Sequence, residues 1–191
     1  MLRVGALRLL DLPRRRNLLR HWLDWLGFPR PSEKKLEHIL HDVLEAGPDA
    51  EPCVEWGAVA VRRYRDGLYA EAQRPSPRGG EWRDEVFDLG PGWGRLRREM
   101  SEGPGLPQAG HVEVRYREGG EKLRPLGRDH HHALRKLFQE AGVFPWRRAV
   151  LPLVYIDGEL AAVGNLWINA DIAEADGWRV AWEEMPPVVA R

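Results

Sequence analysis

Between Arg115 and Arg148 the chain reads RYREGGEKLRPLGRDHHHALRKLFQEAGVFPWRR. Nine lysine or arginine side chains, at 115, 117, 122, 124, 128, 135, 136, 147 and 148, stand there against four acidic ones at 118, 121, 129 and 140. Nine minus four is a local excess of +5, in a chain whose formal net charge is zero. The chemistry open to these types is binding rather than bond-making, because guanidinium and ammonium groups neutralise phosphates and release their counterions. Gly119, Gly120 and Gly127 let the backbone turn tightly and come close to a phosphate. Lys122, Arg124 and Arg128 project from the same turns, Arg115 and Arg117 lead into them, and Arg135 and Lys136 ride a short amphipathic helix. Arg147 and Arg148 extend the grip, although Arg148 has a competing role as a loop support that hydrogen-bonds carbonyls. Trp146, beside Pro145, reads as a packing anchor. A carboxylate facing phosphates would repel them, so Glu121 is expected to orient Arg124 or to cap backbone N–H groups.

Other chemistry-bearing residues carry less. Consecutive His130, His131 and His132 on the first turn of a helix would point ~100° apart and could not share one metal ion. They could still donate to phosphate oxygens when protonated. Arg14, Arg15 and Arg16, with Arg20 one turn on, form a second candidate contact, since cations near a helix start are disfavoured by the dipole. The balancing reading is a plain solvated surface. Trp22 falls on an apolar stripe and belongs to a core, whereas Trp25 lies off it and is open. The lone Cys53 has no disulfide partner and reads as a buried structural thiol in a strand. No catalytic residue and no metal site are expected in the chain.

Two modules must position these groups, giving an α+β chain: a helical hairpin with a small antiparallel sheet, then a mostly β domain with one main helix. In residues 1–74, Pro13 opens a helix whose Leu18, Leu19, Trp22, Leu23 and Leu26 form a stripe, and Gly27 stops it. Ser32 caps a second helix with Leu36, Ile39, Leu40, Val43 and Leu44 at helical spacing, before Gly47. Strands follow at 53–56, 59–65 and 68–70, the last two around an Asp66-Gly67 turn. After a break at Arg74-Pro75-Ser76-Pro77-Arg78-Gly79-Gly80, residues 75–110 read as a linker and leading strands at 85–89 and 94–98. Residues 111–185 form the second domain proper. Val112, Val114 and Tyr116 point inward, a helix follows Asp129 with Leu134, Leu137, Phe138 and Ala141 on its buried face, and strands at 153–156 and 160–163 flank an Asp157-Gly158 turn. Segments 166–168 and 178–182 complete it.

The order Arg-x-Gly-Gly-Glu at 117–121, Arg-Pro-x-Gly-Arg at 124–128, Leu-Arg-Lys-Leu-Phe-Gln-Glu at 134–140, Pro-Trp-x-Arg at 145–148 and Leu-Pro-Leu at 151–153 resembles the C-terminal domain of bacterial tRNA(Ile)-lysidine synthetases. The segment RRRNLLRHWLDWLGFPRPSEKKLEHIL, followed by a strand and an Arg-Tyr-Arg-Asp-Gly hairpin, is similar to that family's middle, substrate-binding domain. The resemblance implies an enzyme that adenylates the first-anticodon-position cytidine of isoleucine tRNA with ATP and Mg, lysine then displacing AMP. Its catalytic Ser-Gly-Gly-x-Asp-Ser loop does not occur here: the pairs at 79–80 and 119–120 are each followed by Glu. The implied role is therefore tRNA binding, to the body and acceptor stem, with no cofactor in this chain and a separate or missing ATP-pyrophosphatase domain as partner. Three bulky imidazoles at 130–132 depart from the family's short, small or polar segment.

Composition bounds the alternatives. At 191 residues with 43% hydrophobic side chains the chain can bury real cores. No apolar run would span a membrane, and MLRVGALRLLDL is too short for a secretory signal, which points to the cytoplasm. Residues 1–40 hold nine basic and four acidic side chains, residues 151–191 two and seven. That polarity suits one positive face presented to an anion. A stand-alone protein-interaction module that kept the fold without tRNA binding is the alternative, and a homodimer is compatible with either.

Overall fold

The computed structural model describes residues 1–47 and 50–189. The chain divides into two compact units, Met1–Arg74 and Pro75–Arg191.

The first unit opens with β1 (Leu2–Arg3), α1 (Val4–Arg8) and α2 (Leu12–Trp25). Asp11 accepts the Arg14 N–H at 2.9 Å and caps α2, a bond worth ~1 kcal/mol at a helix start. Its far end closes as a Schellman turn: the Phe28 N–H reaches the Leu23 carbonyl and Gly27, at φ +75°, donates to Asp24. Ser32 caps α3 (Glu33–His38), which runs into a π-helical turn at Ile39–Val43. Strands β2 (Cys53–Trp56), β3 (Val59–Tyr64) and β4 (Gly67–Ala72) form an antiparallel sheet with β1 in the order β1-β4-β3-β2. Leu19, Trp22 and Leu23 meet Leu36, Ile39, Leu40, Val43, Leu44, Val54, Val61 and Leu68 in one core.

Three expectations shift here. Leu18 is exposed, because the buried stripe of α2 is centred on Leu19, Trp22 and Leu23. The β3–β4 loop is Arg65-Asp66, since Tyr64 pairs with Gly67. Arg65 takes the left-handed conformation at φ +54°, while the Asp66 carboxylate is bound by the Gly5 N–H at 2.7 Å, and the Tyr69 ring occupies the space a Cβ on Gly67 would need. Cys53 lies in β2 but on its exposed side, next to Glu55. Partial desolvation, with Glu55 beside it, raises the thiol to about 11, so it stays protonated.

The second unit contains β5 (Gly80–Glu81), β6 (Val86–Asp88), β7 (Arg95–Met100), β8 (Val112–Arg115), β9 (Lys122–Leu123), β10 (His132–Ala133), α4 (Leu134–Glu140), β11 (Leu153–Ile156), β12 (Glu159–Val163), β13 (Trp167–Ile168) and β14 (Trp178–Glu183). They pair as β13-β12-β11-β8-β5, β14-β7-β6 and β10-β9, all antiparallel. The β11–β12 hairpin turns on Asp157 and Gly158, both at positive φ, as a two-residue primed turn demands. Residues 75–110 are strongly tied into this unit, because β7 matches β14 from Arg95↔Glu183 to Met100↔Trp178. Trp82, Trp93, Trp178 and Trp182 are buried, with the Arg98 guanidinium lying over the Trp82 and Trp178 rings at 5.2 and 5.1 Å. The helix expected after Asp129 begins only at Leu134. His132 is instead extended opposite Leu123, so the histidines precede the helix and do not form its first turn. Among the described residues no helix is long and apolar enough to cross a membrane.

Candidate nucleic-acid interface

The cationic segment leaves the large sheet at β8. Val112 and Val114 are buried and alternate with exposed Arg115, whose guanidinium pairs with Glu113 and lies 4.6 Å from the Tyr155 ring centroid. Half-buried Tyr116 donates its hydroxyl to the Arg78 carbonyl at 2.7 Å. Arg117 then turns inward, its guanidinium 5.9 Å from the Phe138 centroid and its Nε 3.3 Å from Glu121 Oε2.

Glu121 organises the turn that follows. Its Oε1 accepts the N–H groups of Glu118 at 2.6 Å and Gly119 at 2.7 Å. Partial burial opposes its charge, but the backbone N–H groups and Arg117 outweigh it and hold the carboxyl below the usual range. Of the two roles expected for Glu121, capping is found; its cationic partner is Arg117, not Arg124. Gly119 and Gly120 sit at φ +109° and +88°, and Gly127 at +81°. A Cβ on any of the three would meet nothing within 4 Å, so the turns require these glycines while the surface above them stays open.

Lys122 and Leu123 pair as β9 with Ala133 and His132, and the Leu134 N–H donates to the Glu121 carbonyl. This places Lys122 beside the start of α4, whose Leu134, Leu137 and Phe138 are buried while Arg135 and Lys136 face solvent. The next turn is fixed to β13 and the residues after it, by Leu126 N–H to the Ile168 carbonyl at 3.1 Å and Ala170 N–H to the Arg124 carbonyl at 2.7 Å. Arg124 Nε bonds Asp171 Oδ1 at 2.7 Å, and His131 Nε2 stands 2.7 Å from Asp171 Oδ2. Arg124, with His131, holds the Asp171 carboxyl below its ordinary range. Glu140 does the same service for Arg128 at 2.9 Å, with Lys136 Nζ at 4.0 Å, and its carboxyl is likewise held down, chiefly by Arg128.

Lys122, Arg124, Arg128, Arg135 and Lys136 are thus gathered on connected elements around one hairpin, two turns and one helix end. Lys122 and Arg135 are exposed, and among the described residues neither forms an ion pair. Arg147 does not join them. It is 6% exposed, its guanidinium packs 5.2 Å from the Trp93 centroid, and its Nε reaches the Pro187 carbonyl at 3.3 Å. Arg148 donates to the Val143 carbonyl at 3.1 Å, as a loop support would, and Trp146 stacks on Phe144 with centroids 4.8 Å apart.

The second candidate contact looks different. Arg14 pairs with Asp11, Arg15 with Glu45, Arg16 with Glu33 and Glu37, and Arg20 with Glu33. Arg15 also donates to the Leu10 and Arg8 carbonyls. The cations at the start of α2 therefore have partners within their own unit. Trp22 is buried, whereas Trp25 is 75% exposed. The positioning carboxylates Asp171 and Glu140 escaped sequence reasoning; Asp171 lies 47 residues from Arg124 and only the fold joins them.

Two family models match, TilS substrate binding domain over residues 2–69 and TilS substrate C-terminal domain over residues 112–182. In tandem they mark the class: a chain built of the two TilS-type domains, one after the other. The tRNA(Ile)-lysidine synthase of Methylococcus capsulatus is 39% identical over 168 residues, covering 84% of this chain and 38% of that protein. The tRNA(Ile)-lysidine synthase of Alkalilimnicola ehrlichii is 35% identical, over 97% and 43%, and that of Coxiella burnetii 34% identical, over 91% and 40%. The chain belongs to the tRNA(Ile)-lysidine synthase family, and it spans about two fifths of the length of these curated relatives.

Proposed function

We propose that this chain is the tRNA-recognition portion of a tRNA(Ile)-lysidine synthase and grips the body and acceptor stem of isoleucine tRNA. The observation that supports the reading is that Lys122, Arg124, Arg128, Arg135 and Lys136 stand on elements hydrogen-bonded to one another or adjoining in the chain. Arg115 and Arg117 flank them, and Gly119, Gly120 and Gly127 leave their turns open. A double-stranded stem offers phosphates, 2′-hydroxyls and a shallow groove, so affinity comes from the cations and discrimination from shape. Catalysis, with ATP and Mg, belongs to an ATP-pyrophosphatase domain whose phosphate loop these 191 residues do not contain. The setting is the cytoplasm, and sedimentation of the purified chain tests the homodimer.

Binding of the chain to isoleucine and methionine tRNA at two salt concentrations tests the proposal. Salt-sensitive binding is expected, because each phosphate contact lowers the slope of log K against log salt by ~0.9 on a duplex. A preference for isoleucine tRNA would put discrimination in this region. Absence of binding at low salt would overturn the reading.

A further inference from the structure

The Arg124–Arg128 turn borders a cleft that phosphate contacts alone would leave unused. The cleft encloses about 290 Å³ and lies between that turn, β13 and β14. Leu126, Gly164, Asn165, Leu166, Trp167 and Ile168 line it from the turn and from β13 and the residues before it. Arg179 stands on the β14 side, its guanidinium fixed by Nε and Nη2 bonds to the Pro104 carbonyl at 3.2 and 3.1 Å. Trp167 is steadied by Phe138, with ring centroids 5.8 Å apart. Leu126 is 37% exposed although its backbone is pinned to Ile168, so an aliphatic side chain is held at the mouth of the cleft.

We propose that this cleft receives one unpaired nucleobase of the RNA whose phosphates the neighbouring turn holds; the inference rests on the tRNA-binding reading and deepens it. Indole and guanidinium groups each stack on planar heteroaromatic rings, so Trp167 and Arg179 among the lining residues are assigned to the ring, and the Asn165 amide can both donate to and accept from its edge. The volume, about 290 Å³, sits just under the ~300–1,000 Å³ of small-molecule sites and is ample for a nucleobase. Bases inside a duplex are already stacked, so the occupant must come from a single-stranded end or bulge adjoining the gripped stem. The charge agrees, because the phosphate attached to such a base falls beside a turn carrying Arg124 and Arg128.

The experiment compares a blunt RNA hairpin with the same hairpin extended by unpaired nucleotides at its 3′ or its 5′ end, with 2-aminopurine in the extension. One extension is expected to tighten binding by roughly tenfold, the size of a single base-stacking contribution, and its 2-aminopurine emission to fall in the complex. Trp167→Leu and Arg179→Ala should each erase that gain while the blunt hairpin binds as before. Arg179 is an exposed side chain, so its variant keeps the test open if Trp167→Leu loosens β13. Equal affinity for all three hairpins with unquenched emission would overturn the cleft and leave the phosphate grip standing. Failure of every hairpin to bind at low salt would overturn the grip and the cleft together.

Discussion

Helix α2 in the first unit and the segment from Arg115 to Lys136 in the second carry basic side chains at similar density, yet the structure treats them differently. On α2 the carboxylates come to the cations: the break at Phe28–Pro31 returns the chain so that Glu33 and Glu37 reach Arg16 and Arg20, and Glu45 reaches Arg15. In the second unit the most central carboxylate, Glu121, is spent on backbone N–H groups and on Arg117, while Lys122 and Arg135 remain exposed. Asp171 and Glu140 pair with Arg124 and Arg128, as the acids of the first unit do with Arg16 and Arg20, so the contrast rests on Lys122 and Arg135. The lesson is that cation density in a sequence does not measure cation availability. Availability depends on where the fold delivers its acids, and surface pairs such as those on α2 are weak, ~0–1 kcal/mol, while still occupying the side chains that make them.

The sharpest way to break this contrast is charge reversal in the second unit. Lys122→Glu combined with Arg124→Glu should weaken RNA binding by about a hundredfold at low salt, since two contacts become repulsions. Filter binding on a variant with a wild-type circular dichroism spectrum checks it, and unchanged affinity would move the interface elsewhere. Next in size is Glu121→Gln, which keeps the shape of the cap and removes its charge. Charge-assisted hydrogen bonds of this kind contribute ~1.5–3 kcal/mol, so the second unit should melt several degrees lower. Because the folded-state carboxyl of Glu121 is held below its ordinary value, its contribution is present above the unfolded pKa of about 4.3. It is lost as pH falls through the depressed folded value. The melting difference between wild type and Glu121→Gln should therefore be full near neutrality and vanish in strong acid; a difference that grows on acidification would contradict the assigned cap.

How far the sequence reveals this arrangement depends on the range of the interactions. Local signals are faithful. Asp157-Gly158 forms its hairpin turn, Ser32 caps its helix, and Leu134, Leu137 and Phe138 bury one face of α4. Errors arise where a tertiary contact overrides a local preference. Asp66-Gly67 is a strong turn signal, but Asp66 is drawn toward Gly5 and Gly67 is covered by Tyr69, so the turn sits one residue earlier. Arg147 reads as surface because it is an arginine next to an arginine; only the fold supplies the Trp93 ring and the Pro187 carbonyl that bury it. The pairing of Arg124 with Asp171, and the cleft beside Leu126, join segments some forty residues apart, and no spacing within either segment announces them.

A smaller effect separates the members of the second unit's surface from one another. Arg135→Ala removes an exposed cation that has no ion pair among the described residues, and should reduce the magnitude of the salt slope by ~0.7–0.9, with affinity falling about fivefold at low salt. Arg147→Lys, by contrast, should leave the slope alone and lower stability, since a lysine cannot reproduce a flat guanidinium over an indole.

The smallest change is expected on α2. Arg14 and Arg20 already have Asp11 and Glu33 as partners, so Arg14→Gln with Arg20→Gln should alter RNA affinity by less than about threefold and leave the salt slope nearly unchanged. Titrations of this variant beside Arg135→Ala, on the same RNA and over the same salt series, put the two regions on one scale. If the α2 variant lowers the slope as much as Arg135→Ala does, RNA competes successfully with Asp11 and Glu33 for those guanidiniums. An ion pair seen in the free protein would then be a reserve that the ligand can recruit, and the distinction between the two units would lie in the cost of releasing the cation.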